Sequence, residues 1–353
     1  MTPTLPNSKN ERRKRNSAGE PARYLPAIDE EMRAQLAADL PALEPFYEMM
    51  RYHLGLDAGS RAGGKRLRPL LCLLLHEGTG GDAAAALPAA AAIELLHNFT
   101  LIHDDIEDQD ETRHHRPTLW TRFGVPQAIN AGDAMYAISR VAMQRLRGRG
   151  FPADWIVEAV AALDRACLRV CEGQYLDISF EGRVDVSAER YRDMIARKTG
   201  ALFRAPAEVA AILSGVDART RDALVAFGEA LGLAYQAHDD RNGLWGSASQ
   251  TGKAEMHDLT KRKMSLPLVM AMTRAAPDRA ELVRLAYSRE GTLAADEVRR
   301  VREVIDELGV REDVDRFVAM QRGRALAALA RVDLHEPARA EVVRLVAEST
   351  GSA

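Results

Sequence analysis

The chain has 353 residues, of which 46% are apolar and 28% charged, with a net charge of −3. This is the balance of a soluble globular protein of one large domain or two ordinary ones. It excludes a global electrostatic pull toward nucleic acid or an anionic membrane, and no run of about eighteen apolar residues offers a spanning helix.

Residues 7–23 are polar and charged, with a basic cluster at Arg12, Arg13, Lys14 and Arg15 and no apolar segment behind it. That is not a secretory leader. Residues 1–25 read as a solvated disordered tail and 26–350 as the folded domain. From residue 28 onward Leu, Ala, Val, Ile and Met recur at helical spacing, while alternating strand patterns are scarce. The spacing predicts helices over 29–57, 65–78, 84–107, 126–147, 153–179, 187–214, 218–242, 259–275, 279–289, 294–308, 311–331 and 336–349. Glycine- and proline-rich breakers separate many of them, so the fold class is all-α, one bundle of about ten to thirteen helices. Cys72, Cys167 and Cys171 form no disulfide framework. Cys167 and Cys171 are one turn apart but have no histidine nearby to complete a metal site, so the three read as small core residues in a reducing cytoplasm.

Helices 84–107 and 218–242 are apolar nearly all round, which belongs in the middle of a bundle, and each ends in an acidic pair. The first motif is His103-Asp104-Asp105-Ile106-Glu107-Asp108. On a helix Asp104 and Asp108 project from one face, one turn apart, with Asp105 on the flank. A solvated helix end is the plainer reading. It must accept like-charge repulsion and an unfavourable helix dipole, and a divalent cation would remove both costs. Magnesium suits one or two carboxylates plus water and substrate phosphates. The second motif, Gln236-Ala237-His238-Asp239-Asp240, lies in the same setting. A segment rich in Gly, Ser and Lys follows at 243–253 and reads as a lid.

Cations answer these acids. Lys65, Arg66 and Arg68 follow Gly63-Gly64 at a helix start, where charge and free N–H groups combine to bind anions. Arg113 and Arg116 follow the first motif with His114 and His115 between them, and the histidines read as polar loop residues. Lys198, Lys253, Lys261 and Lys263 come from the second half. Arginine suits a bidentate phosphate grip and lysine a point contact.

In this order the motifs resemble the trans-isoprenyl diphosphate synthase (polyprenyl synthetase) family, in its short-chain, geranylgeranyl diphosphate synthase-like form. The resemblance runs from Gly63-Gly64-Lys65-Arg66-Leu67-Arg68-Pro69 to Lys263-Met264-Ser265-Leu266-Pro267. Between them stand Glu94-Leu95-Leu96-His97, Leu101-Ile102-His103-Asp104-Asp105, Gly132-Asp133, Gly173-Gln174, Lys198-Thr199-Gly200, Tyr235-Gln236, Gly252-Lys253 and Asp258-Leu259. It implies a helical fold around a central cavity, a homodimer, and head-to-tail joining of isopentenyl diphosphate to an allylic diphosphate (DMAPP, GPP or FPP). By the same resemblance Asp104, Asp105, Asp108, Asp239 and Asp240 would coordinate magnesium, three ions in all. Arg113, Lys198, Gln236 and Lys253 would hold the allylic diphosphate, with Thr199 and Lys263 also in the substrate site. Lys65, Arg68 and His97 would bind isopentenyl diphosphate, and Asp104, Asp105, Lys198, Gln236 and Asp239 would carry catalysis. Two departures stand out: His114 and His115 replace the family's second arginine and its glycine, and Gly243 replaces the fifth-position aspartate of the second motif. A bacterial branch of the family shares the pattern Gly243-Leu244-Trp245-Gly246.

Metal ions and lysines would stabilise the departing diphosphate, and the allylic cation needs an apolar cavity behind them. Phe99, five residues before Asp104, would floor that cavity, and an aromatic there resembles synthases making C20. The expected product is geranylgeranyl diphosphate, with farnesyl diphosphate second. A terpene cyclase and a regulatory subunit are the alternatives. Lys65, Arg68 and His97 argue against the first, and the retained aspartates against the second.

Overall fold

The computed structural model describes residues 23–57, 64–246, 256–289 and 291–351. The predicted tail up to residue 22 and Lys253 lie outside the described residues. The chain is all-α, apart from one two-residue hairpin among the described residues. The helices are α1 (Leu25–Gln35), α2 (Glu44–His53), α3 (Leu67–Gly78), α4 (Leu87–Glu107), α5 (Leu119–Phe123), α6 (Val125–Gln144), α7 (Ala153–Phe180), α8 (Ala188–Ile195), α9 (Ala201–Leu213) and α10 (Ala218–Trp245). They continue with α11 (His257–Thr260), α12 (Leu266–Met272), α13 (Pro277–Tyr287), α14 (Ala295–Glu307), α15 (Val310–Leu329) and α16 (Ala338–Ser349).

Several predicted helices are subdivided, each for a local reason. The helix expected over 29–57 breaks at Pro41, because the residue before a proline is pushed out of the helical region and Leu40 is extended at φ −123°, ψ 132°. Arg51 then turns back from α2 to bond the Leu36 carbonyl at 2.6 Å. The helix expected over 259–275 divides at left-handed Arg262 (φ 54°) into α11 and α12. A single π-helical turn, Ala196–Gly200, interrupts the one expected over 187–214. Such turns change the aim of the residues they carry and often mark functional sites.

Two hydrophobic clusters build the interior. One gathers α1, α3, α4, α6, α7, α9 and α16, the other α8 and α11–α14. Helices α10 and α15 contribute to both. Phe227 and Leu231 lie in the first cluster, Ala237 and Leu244 in the second. The middle of α4 is buried on every side from Ala89 to Leu96, as its unbroken apolar run requires. The acidic ends of α4 and α10 therefore emerge where the two cores meet.

Close backbone approaches fix that seam. A Cβ on Gly232 would lie 2.7 Å from the Gly200 Cα, so α10 runs tightly along the π turn. A Cβ on Gly173 of α7 would lie 2.3 Å from the Lys198 backbone nitrogen and 2.6 Å from its Cα, contacts that would force backbone to move. Gly173→Ala should lower stability by about 1–3 kcal/mol, the usual cost of overpacking, seen as a fall of several degrees in the thermal midpoint. An unchanged midpoint would show that the α7 crossing yields freely.

Candidate active site

Helix α4 ends in the first acidic motif, and its carboxylates meet cations carried by other elements. Lys198, aimed inward by the π turn, places its Nζ 3.2 Å from Asp104 Oδ1 and 2.6 Å from Asp177 Oδ2. Lys263 pairs with Asp108 across 155 residues of chain, and Lys261 Nζ donates to the Asp108 carbonyl at 2.7 Å. Both lysines owe this reach to the break at Arg262. Burial alone would raise the Asp104 carboxyl, but Lys198, Lys263 and Arg113 hold it down at about 2. Burial likewise opposes the Lys198 charge, yet Asp104 and Asp177 raise its pKa above the ordinary lysine value.

Asp105 points elsewhere. Its Oδ1 accepts from Arg113 Nε and Nη2, both at 2.7 Å, and burial pushes this carboxyl up to about 6 despite the arginine. Arg113 is carried by the hairpin, β1 (Thr112–Arg113) against β2 (Arg116–Pro117). His114 and His115 form its turn, both left-handed at φ 50° and 61°, which is the geometry of a two-residue hairpin turn. They are polar loop residues, as expected. Arg116 bonds Asp57 at 2.9 Å and lies over the Tyr52 ring at 3.9 Å.

The second motif divides in the same way. Asp239 is exposed, while Asp240 is buried and accepts from Tyr191 Oη, the Leu266 backbone N–H at 2.7 Å and Gln236 Nε2 at 2.9 Å. Burial pushes the Asp240 carboxyl up to about 7 against these bonds. Gln236 is held from its other end by Thr199 Oγ1, which donates to Oε1 at 2.5 Å. Helix α10 does not stop at Asp240 to release a lid. It continues through Gly243 to Trp245, whose Nε1 bonds Asp306 Oδ1 at 2.8 Å. The remainder of the expected lid lies outside the described residues.

The basic cluster at the start of α3 also separates. Lys65 is exposed. Arg66 turns inward to bond Asp29, Glu94 and the Leu54 carbonyl, so it is structural and not an anion ligand. Arg68 is buried over the Phe203 ring at 4.8 Å, with Nη1 3.0 Å from His97 Nε2. Burial and Arg68 push the His97 imidazole well below its usual range, so it is neutral. Arg68 Nε and His97 Nδ1 are buried with no protein partner. A buried polar atom left so costs on the order of 1–3 kcal/mol, which points to a polar ligand here. Phe99, five residues before Asp104, is buried and edge-on to His103 and Tyr136 at 5.7 and 5.3 Å between ring centres.

Among the described residues no three His, Cys, Asp or Glu side chains enclose a metal by themselves. Magnesium does not require such a cage, since it takes one or two carboxylates and completes its shell with water and phosphate oxygens. Asp104 and Asp108, hard oxygen donors one turn apart, fit that pattern. Sequence reasoning missed Asp177, whose only signal is its place four residues after Gly173 on the same helix face. Tyr191 carries no sequence signal. Cys171 was expected in the core but is exposed, one turn from buried Cys167.

A model of the polyprenyl synthetase family matches residues 47–307. The chain belongs to that family. It is 38% identical over 291 residues to geranylgeranyl diphosphate synthase of Mycobacterium tuberculosis, covering 81% of this chain and 82% of the relative. It is 36% identical over 265 residues to (2E,6E)-farnesyl diphosphate synthase of Mycobacterium bovis, covering 73% and 72%. The solved polyprenyl synthetase from Streptomyces coelicolor A3(2) superposes with a TM-score of 0.82 at 34% identity, over 93% of this chain and 98% of that one. The protein is therefore a trans-prenyltransferase of the short-chain prenyl diphosphate synthases, with the all-α isoprenoid synthase fold. No described helix is long and apolar enough to cross a membrane.

Proposed function

We propose that the enzyme condenses isopentenyl diphosphate with allylic diphosphates (DMAPP, GPP and FPP) to give geranylgeranyl diphosphate, with three magnesium ions at the allylic diphosphate. The observation that carries this reading is one seam holding the two kinds of site. Carboxylates and lysines meet at the end of α4, and Arg68 Nε and His97 Nδ1 are left partnerless nearby.

Bound magnesium would supply electrostatic stabilisation of the leaving diphosphate. Asp104, Asp108 and Asp239 are the residues to hold it. Asp105 and Asp240 instead orient Arg113 and Gln236, which would meet the diphosphate oxygens together with Lys198 and Lys263. With the Thr199 hydroxyl donating to Oε1 and Nε2 donating to Asp240, the Gln236 amide is locked from both sides. Arg68, neutral His97 and Lys65 bind the isopentenyl diphosphate. The buried side chains of α4 and α9 exclude water from the allylic cation. Phe99 closes the cavity between one and two turns from the metal, braced by Tyr136.

The apolar side chains Ile129, Tyr136 and Val141 on α6 and Leu168, Tyr175 and Ile178 on α7 are exposed. They support a homodimer closed through these helices, since large apolar side chains exposed along two packed helices mark an interaction surface. The free thiols of buried Cys72 and Cys167 suit a reducing cytoplasm.

Purified protein with magnesium, labelled isopentenyl diphosphate and each allylic primer should yield a C20 diphosphate by chromatography, and no elongation with any primer would overturn the assignment. Asp104→Ala and Asp239→Ala should each lower turnover by at least about a hundredfold, the scale of lost electrostatic catalysis; a near-normal rate in either would remove that residue from the metal site. Phe99→Ala should lengthen the product, whereas an unchanged chain length would place the floor elsewhere. Light scattering should report a mass of two chains and Tyr175→Glu a mass of one; a monomeric wild-type protein would refute the dimer.

A further inference from the structure

Arg68 and His97 leave two buried polar atoms without a protein partner, and their chemistry is fixed by the bond between them. An arginine side chain carries only donors, so His97 Nε2, 3.0 Å from Arg68 Nη1, accepts. The imidazole proton then sits on Nδ1. Both orphaned atoms of the pair, Arg68 Nε and His97 Nδ1, are therefore donors.

A third orphan belongs to His53, the last residue of α2. Its Nε2 is buried with no hydrogen-bond partner among the described residues. The peptide groups on either side of His53 are pinned. Before it, the Tyr52 carbonyl accepts from Arg116 Nη1 at 3.2 Å, which ties it to the hairpin carrying Arg113 and His114. After it, the Leu54 carbonyl accepts from Arg66 Nη2 at 2.6 Å. The same guanidinium bonds Glu94 at 3.1 Å, about one turn before His97 on α4. His53 is thus held where α2, α4 and the hairpin meet. The charges of Arg113, His114, Arg66 and Arg116 act on its ring, and His53 acts in turn on His97. Burial, reinforced by those cations, pushes the His53 imidazole down to about 3, so the ring is neutral. Packing alone does not call for a histidine here, because an apolar side chain would avoid the cost of a buried nitrogen without a partner.

We propose that His53 is a further binding residue of the isopentenyl diphosphate site, donating its Nε2–H to a diphosphate oxygen alongside Arg68 and His97. The inference rests on the prenyltransferase reading above and adds a contact to it. An ionised diphosphate presents several acceptor oxygens and no donors, so one ligand can satisfy all three orphaned nitrogens. A neutral ring also suits the place better than another cation. Beside Arg66, Arg113 and Arg116 a further fixed charge would be repelled whenever the site is empty, whereas a neutral N–H is not. The allylic diphosphate is met instead by Lys198 and Lys263 at the end of α4, so loss of His53 should be felt by one substrate and not the other.

The test measures steady-state rates on the full-length enzyme with each substrate varied in turn, and the thermal midpoint of the ligand-free protein. His53→Leu should raise KM for isopentenyl diphosphate about ten- to a hundredfold, the scale of a lost hydrogen bond to a charged group. KM for the allylic primer and kcat should change little, as expected when only binding of one substrate is removed. His53→Gln, which keeps an N–H at a similar reach, should restore most of the loss. The midpoint of His53→Leu should match or exceed wild type, because the orphaned nitrogen is gone. A normal KM for isopentenyl diphosphate in His53→Leu, with a raised one in Arg68→Lys, refutes the role of His53 and leaves the site standing. A lowered midpoint with equal losses for both substrates makes His53 a packing residue and overturns the proposal. If neither His53→Leu nor Arg68→Lys changes that KM, the assignment of the isopentenyl diphosphate site fails with it.

Discussion

The active-site seam depends on a single electrostatic constraint: carboxylates brought out of water must be answered by cations fixed on other elements. Asp104 and Asp108 follow an apolar run and repel one another across one helical turn. Lys198 comes to them from the π turn and Lys263 from beyond α11, so the pairing ties segments about ninety to one hundred and fifty residues apart in sequence. An uncompensated charge in such a place is expensive. The breaks in helical regularity at 196–200 and 261–265 are where the chain turns these lysines inward.

A division of labour among the acids follows. Within each motif one carboxylate is exposed or half-buried and the next is buried and committed to the protein: Asp104 beside Asp105, Asp239 beside Asp240. The buried partner holds the residue that grips substrate, Arg113 in one case and Gln236 in the other. Adjacent residues on a helix point about 100° apart, so one member of each pair faces the cleft while its neighbour enters the packing behind it.

Much of this was legible from spacing. The long helices 153–179 and 218–242 lie within one to three residues of the observed α7 and α10, because their apolar period is unbroken and their ends are marked by glycine or proline. The breaks inside 29–57 and 259–275 were missed: Pro41 marks the first in the sequence, whereas the second shows only in the left-handed backbone of Arg262. Proximity in sequence misled at the start of α3, where three adjacent basic residues have three different fates. Arg66 enters an ion-pair network, Arg68 goes beneath His97, and Lys65 stays exposed. The roles of Asp177 and Tyr191 depend on which helices cross, and no local pattern encodes that.

Because α4 belongs to one hydrophobic core and the segment around 259–266 to the other, the distance between Asp108 and the lysines at 261 and 263 is a property of how those cores are seated on one another. The site thus acts as a gauge of interior alignment. A loosened second core would blunt the chemistry by letting the counter-charges drift, well before secondary structure is lost, and function would be the most sensitive reporter of its packing.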